Sequence, residues 1–179
     1  MEDELAFLQR HDVWDICERP IGAKTVKSKW IFSVKESENH KVRYKARLVA
    51  TGFNQVKIRD YEESYSPVIS IDAWRTLIAI AAKRDLNVRF FDVKTAYLYG
   101  KLEETIYMEP PPGFKDIFEK GEICRLKKSL YGLPQSGRNW YYKLKEELSK
   151  NGLKPLASEN CIFYNSNESC FFCIWCIRR

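Results

Sequence analysis

The chain has 179 residues, 45% of them hydrophobic and 30% charged, and its 30 Lys and Arg against 24 Asp and Glu leave a net charge of +6. Such a mix buries a core and excludes a disordered tail, and no run nears the roughly 18 apolar residues that span a bilayer. The acidic start Met1-Glu-Asp-Glu is unlike a secretory signal, and six cysteines fit free thiols in a cytoplasmic or nuclear, intracellular chain better than a disulfide scaffold.

Residues 28–35, Ser-Lys-Trp-Ile-Phe-Ser-Val-Lys, are rich in β-branched and aromatic side chains. Residues 42–49, Val-Arg-Tyr-Lys-Ala-Arg-Leu-Val, alternate basic or polar with apolar positions. Joined by the polar stretch 36–40, they predict a β-hairpin with Arg43, Lys45 and Arg47 on one face. The positive excess is concentrated here. From Lys24 to Arg59 there are ten basic residues and two acids, a net of +8, and the remaining chain is −2. Trp30, Phe32, Tyr44 and Phe53 lie among them. Basic and aromatic residues on one platform neutralise phosphates and stack on bases. A solvated strand pair whose Lys-rich face discourages edge pairing has the same pattern.

Residues 54–68 read as irregular, and a helix is expected from Ser70 or Asp72, either of which can cap it. Its apolar stripe is read as Ile71, Trp74, Ile78 and Ala81 or Ala82. Residues 86–93, Leu-Asn-Val-Arg-Phe-Phe-Asp-Val, predict a largely apolar strand that stops at Asp92. Ile106-Tyr-Met108 and Glu122-Ile-Cys-Arg-Leu126 flank a Pro110-Pro-Pro-Gly113 loop and are expected to pair. A second helix is expected over 137–150, with Trp140, Leu144 and Leu148 four apart and Gly152 as its stop. From Cys161 two further strand-like pieces flank 165–168. The order β-β-α-β-loop-β-α-β-β gives an α+β class, an antiparallel sheet with packed helices.

Three features bear on chemistry. Asp92, at the end of a buried-looking strand, reads either as a ligand for a hard divalent metal or as the cap of a short turn over 93–98. Gln135 sits in Tyr131-Gly-Leu-Pro-Gln-Ser-Gly137, a turn feeding a helix N-terminus, where free N–H groups can hold a phosphate-bearing ligand. Cys170, Cys173 and Cys176, with Cys161, have a metal-cluster spacing, but strand-like residues separate them, and alternation puts Cys173 on the face opposite the other two. Buried thiols are the expected reading. No Gly-x-Ser-x-Gly, P-loop or His-Glu-x-x-His occurs.

Taken in order, Lys29-Trp-Ile-Phe-Ser-Val-Lys35, Tyr44-Lys-Ala-Arg-Leu-Val-Ala50, Gly52-Phe-Asn-Gln55 and Asp60-Tyr-Glu-Glu-Ser-Tyr-Ser-Pro-Val68 form a series. Phe91-Asp-Val-Lys-Thr-Ala-Tyr-Leu-Tyr-Gly100, Ile106-Tyr-Met-Glu-Pro-Pro111, Ser129-Leu-Tyr-Gly-Leu-Pro-Gln135 and Arg138-Asn-Trp140 continue it. Over roughly 13–164 the chain resembles the reverse transcriptase domain of copia-type LTR retrotransposon Pol polyproteins. The resemblance implies a right-hand polymerase fold, with fingers over about 13–69 and an incomplete palm with the remaining fingers elements over 70–179. It implies Mg2+ as cofactor, and RNA or DNA template-primer and dNTPs as partners, with no membrane. Asp92 matches the family's first metal-binding aspartate, with the Val93 carbonyl as its backbone companion in a two-metal mechanism. Lys45 and Arg47 fall in the hairpin that grips the triphosphate, with Lys41 and Arg43 as nucleic-acid contacts. Tyr97 falls at the aromatic steric gate under the sugar, and Gln135 matches a contact to the incoming nucleotide.

The family's second metal-binding element, Tyr-x-Asp-Asp, does not occur in the 179 residues, and no acid follows Glu168. The expectation is therefore a truncated reverse transcriptase domain, inactive by itself as an RNA-directed DNA polymerase. Its rivals are a non-catalytic nucleic-acid-binding module built on the basic hairpin, and a non-functional transposon remnant.

Overall fold

The structure, a computed structural model, describes residues 1–36, 42–57, 60–165 and 171–173. Its class is α+β, with three α-helices and nine strands among the described residues. The chain divides into two compact units, each assembled from two stretches: 1–64 with 96–140, and 65–95 with 141–179.

The first unit opens with α1 (Glu2–Arg10), for which the sequence reading had no element. Glu2, Asp3 and Glu4 in its first turn and Arg10 in its last complement the helix dipole, and Leu5 and Leu8 are buried. Strands β1 (Trp14–Glu18) and β2 (Thr25–Val26) follow, then the hairpin of β3 (Ser28–Glu36) and β4 (Val42–Ala50). The hairpin pairs antiparallel from Ser28 opposite Ala50 to Glu36 opposite Val42, within a residue of its expected bounds.

Later in the chain β5 (Lys101–Met108) and β6 (Glu122–Lys128) pair antiparallel, with Ile106 opposite Leu126, as expected. They sit in a four-stranded sheet of order β1-β6-β5-β2. This sheet is not wholly antiparallel, because the two-residue β2 runs parallel to β5. Leu8, Val26, Leu48, Met108, Cys124 and Leu130 are among the side chains that close one hydrophobic core. Alternation along β6 puts Cys124 and Leu126 in that core, with Arg125 between them exposed on the other side.

The second unit holds α2 (Ile71–Lys83) and a three-stranded antiparallel sheet, β7 (Lys154–Leu156), β8 (Glu159–Tyr164) and β9 (Phe171–Cys173). Ser70 caps α2, its hydroxyl accepting the Ala73 N–H at 3.2 Å. The stripe that packs inward is only partly buried and differs from the expected one, sharing Trp74 with it. Ala73, Trp74 and Leu77 pack on the core of Ile162 and Phe163, whereas Ile71 and Ile78 are exposed. Nine of the twelve residues 71–82 are apolar, so two helix faces satisfy the period equally and only the tertiary partner selects one.

Helix α3 (Ser136–Lys150) matches the expected second helix and ends as its Gly152 predicts. The Leu153 N–H reaches the Leu148 carbonyl and the Gly152 N–H the Ser149 carbonyl, both at 3.0 Å, with Gly152 at φ +79°.

Residues 86–93 correct the sequence reading. They form no strand, and Phe90, Phe91 and Asp92 are exposed. The segment has strand composition but no described strand pairs with it, and a ladder needs both members. Cys161 is buried, in keeping with an inert thiol. Cys170 and Cys176 lie outside the described residues, and so does the choice between cluster and thiols there.

Candidate nucleotide site

The alternation of β3 and β4 makes the hairpin two-faced. Lys29, Ser33, Arg43, Lys45 and Arg47 share one side, and Trp30, Phe32, Val34, Tyr44 and Leu48 the other. At the base the apolar side is in the core, with Leu48 buried and the Trp30 indole donating to the Pro112 carbonyl at 2.8 Å. Further out Phe32 is 65% and Tyr44 79% exposed. Arg43 is exposed as well, and Lys41 lies outside the described residues.

Helix α1 brings an acid to the basic side. The Glu4 carboxylate accepts the Leu48 backbone N–H and faces Lys45 and Arg47. Burial raises its pKa above the usual carboxylate value, and the two cations and the hydrogen bond pull against that rise.

The loop Tyr131–Gln135 is stitched to the end of β4. The Ala50 N–H donates to the Tyr131 carbonyl at 2.7 Å, and the Gly52 N–H to the Gly132 carbonyl at 3.2 Å. Two glycines permit this approach: a Cβ on Gly132 would stand 2.0 Å from the Ala50 oxygen, and one on Gly52 2.5 Å from the Gly132 oxygen. The contact brings Arg47 over the Tyr131 ring, with the guanidinium carbon 5.9 Å from its centre. On the same ring lies Tyr97, centres 4.7 Å apart and planes tilted by 54°. Tyr97 belongs to the 3-10 turn Ala96–Tyr99, anchored by buried Leu98.

Gln135 immediately precedes α3 and is 1% exposed. Neither its amide oxygen nor its nitrogen has a hydrogen-bond partner among the described residues. A buried unpaired polar group costs about 1–3 kcal/mol, so this amide has unmet capacity for a ligand. The adjacent Ser136 shows the contrast: its hydroxyl donates to the Leu130 carbonyl at 2.6 Å.

Thus Arg47 and Tyr97 meet through Tyr131, and Gln135 follows in the same loop. Lys45 lies two positions from Arg47 on the same side of the hairpin. In the sequence Tyr131 has a place in a motif and no site role. Its position depends on a contact between segments some eighty residues apart, for which the sequence has no local signal. Asp92 belongs to the second unit. It is neither the end of a strand nor the residue preceding the turn Ala96–Tyr99, so the cap reading fails. The described residues do not make a metal site: one exposed carboxylate cannot hold a pair of divalent ions, and no group of three His, Cys, Asp or Glu gathers among them.

A family model described as reverse transcriptase (RNA-dependent DNA polymerase) matches residues 11–174. The chain belongs to the reverse transcriptase family. Its curated relatives are copia-type Pol polyproteins. It is 42% identical over 92% of its length to the retrovirus-related Pol polyprotein from transposon TNT 1-94 of Nicotiana tabacum, covering 12% of that protein. It is 40% identical over 84% of its length to the corresponding polyprotein from transposon RE1 of Arabidopsis thaliana, covering 10% of it. The Ty1-BL Gag-Pol polyprotein of Saccharomyces cerevisiae is 34% identical over 83% of the chain, which covers 8% of that protein. The chain therefore spans about a tenth of the length of these relatives. No solved structure matches. Among the described residues no helix is long and apolar enough to cross a membrane.

Proposed function

We propose that this chain is the nucleotide-gripping part of a copia-type reverse transcriptase, with fingers over about 13–69 and partial palm over 70–179. Lys45 and Arg47 hold the triphosphate of an incoming dNTP, Tyr97 lies under its sugar, and Gln135 contacts the nucleotide. Lys41 and Arg43 touch the template-primer, RNA or DNA. Asp92 and the Val93 carbonyl would be this chain's contribution to a Mg2+ site whose further carboxylates the described residues do not supply. A Mg2+ ion held there together with further carboxylates would supply charge neutralisation for phosphoryl transfer.

The observation that carries this reading is that Arg47 and Tyr97 both meet the ring of one tyrosine, Tyr131. A phosphate-binding cation and an aromatic platform converge there, next to a loop with an unsatisfied buried amide. The test is dATP binding to the 179-residue chain. Arg47→Ala and Gln135→Ala are expected to weaken it several-fold each, and unchanged affinity in both refutes the site. In primer extension with Mg2+ or Mn2+ the chain by itself is expected to incorporate nothing; template-dependent incorporation would show that one aspartate suffices.

A second reading, a nucleic-acid-binding module without catalysis, rests on the hairpin's basic side of Arg43, Lys45 and Arg47; the exposed Phe32 and Tyr44 lie on the opposite side and do not share that platform. It predicts salt-dependent binding of RNA–DNA duplex that is lost when Arg43, Lys45 and Arg47 are replaced together. Binding that survives this triple replacement counts against it.

A further inference from the structure

We propose that Tyr131 is a positioning residue for sugar selection: its ring, in contact with both the Arg47 guanidinium and the Tyr97 ring, sets where the nucleotide's triphosphate grip and sugar platform stand relative to each other. The inference rests on the roles proposed for Arg47 and Tyr97.

The backbone of Tyr131 is fixed first. Its carbonyl accepts the Ala50 N–H at 2.7 Å, and Gly132 beside it is locked against the Ala50 oxygen. Arg47 lies three residues before Ala50 on β4, so the tyrosine and the arginine ride on one hydrogen-bonded frame. Tyr97 comes from a separate segment. Its turn is held by Leu98 in the core and by the Gly100 N–H donating to the Tyr97 carbonyl at 3.0 Å. Those contacts fix its backbone, whereas the orientation of its ring about the side-chain bonds depends on what the ring touches. The Tyr131 ring, 4.7 Å away, is such a contact and links the turn to the hairpin.

A platform that rejects a 2′-hydroxyl by contact must hold its place to a fraction of an ångström, because a gap that size admits the extra oxygen. Tyr131 acts on selection through Tyr97 and on phosphate affinity through Arg47. Both contacts on which the proposal rests are made by the Tyr131 ring, so the ring and not the hydroxyl is the group tested.

The experiment measures dissociation constants of dATP and ATP for the full chain and for Tyr131→Phe and Tyr131→Leu, with the chemical shifts of the Tyr97 ring protons recorded in each protein. Wild type is expected to prefer dATP, and Tyr131→Phe to keep both the preference and the Tyr97 shifts. In Tyr131→Leu the preference should fall about two- to tenfold, the range of one aromatic pair, and the Tyr97 shifts should move. Tyr131 is half-buried, so leucine is accommodated, and the phenylalanine variant separates loss of the ring from loss of the hydroxyl. Undiminished preference in Tyr131→Leu, or loss of it in Tyr131→Phe, overturns the inference while leaving the site reading intact. A wild type that binds dATP and ATP equally overturns the inference together with the role assigned to Tyr97.

Discussion

Gly132→Ala should detach the Tyr131 loop from β4, and its cost can be worked from the geometry. At φ +92° an L-residue meets a strained backbone, worth about 1–2 kcal/mol. The new Cβ also lies 2.0 Å from the Ala50 oxygen and 2.7 Å from Val49 Cγ1. The first of these is backbone held in the hairpin ladder, so the loop must withdraw. Withdrawal breaks the hydrogen bonds from Ala50 and Gly52 to the loop, about 1–3 kcal/mol for the two. The expected loss is therefore about 2–5 kcal/mol. Gly121→Ala is the control: at φ +98° it carries the same strain, but nothing lies within 4 Å of its Cβ. It should lose only about 1–2 kcal/mol. Urea unfolding measures both losses, and amide hydrogen exchange at Ala50 and Gly52 locates them. Exchange at those two amides should quicken in Gly132→Ala and stay as in wild type in Gly121→Ala. Equal destabilisation of the two variants, with Ala50 and Gly52 still protected, refutes the close-approach explanation.

Two further outcomes are expected. Glu4 has its pKa raised above 4.5 in the folded chain, so the proton it holds there stabilises the fold below pH 4.5, and that contribution is lost as pH rises through the folded value. Glu4→Gln removes this dependence, so wild type should gain urea resistance relative to the variant as pH falls from 7 toward 4.5; parallel pH profiles would contradict it. Phe91 is 76% exposed, so Phe91→Ala should shift the unfolding free energy by no more than about 0.5 kcal/mol. A loss of about 3–5 kcal/mol, the cost for a core phenylalanine, would show that the segment is packed.

The elements legible in the sequence are those whose signal is complete within a few neighbouring residues. The hairpin was readable because alternation fixes both its existence and which side Arg43, Lys45 and Arg47 share. Helix α3 was readable because Gly152 supplies the left-handed residue its end requires. Helix α1 carried a weaker version of the same kind of signal, acids first and Arg10 last, over only nine residues with two buried leucines. The inward-packing face of α2 was not legible, since Leu77 and Ile78 are equally apolar and only the sheet of β7, β8 and β9 distinguishes them. Tyr131 stood in the same position: its meaning lies in Ala50 and Tyr97, neither of them near it in sequence.

The contrast between the two candidate chemistries follows from the same division. The Arg47–Tyr131–Tyr97 contacts lie within one compact unit, between β4, the 131–135 loop and the 96–99 turn. Asp92 depends instead on a segment that pairs with no described strand; its Phe90 ring lies 6.4 Å from that of Trp74, and Phe91 is exposed. An unpaired strand sequence does not fix the direction of its carboxylate, and a metal site tolerates little error in ligand placement. On the proposed roles of Arg47, Tyr97 and Tyr131, nucleotide binding and its sugar preference are expected to be measurable on this chain without metal chemistry. The ligand role proposed for Asp92 needs a partner for residues 86–93, so the two proposed functions should separate experimentally: substitutions at Tyr131 or Arg47 are expected to alter nucleotide binding, and Asp92→Asn to leave it unchanged.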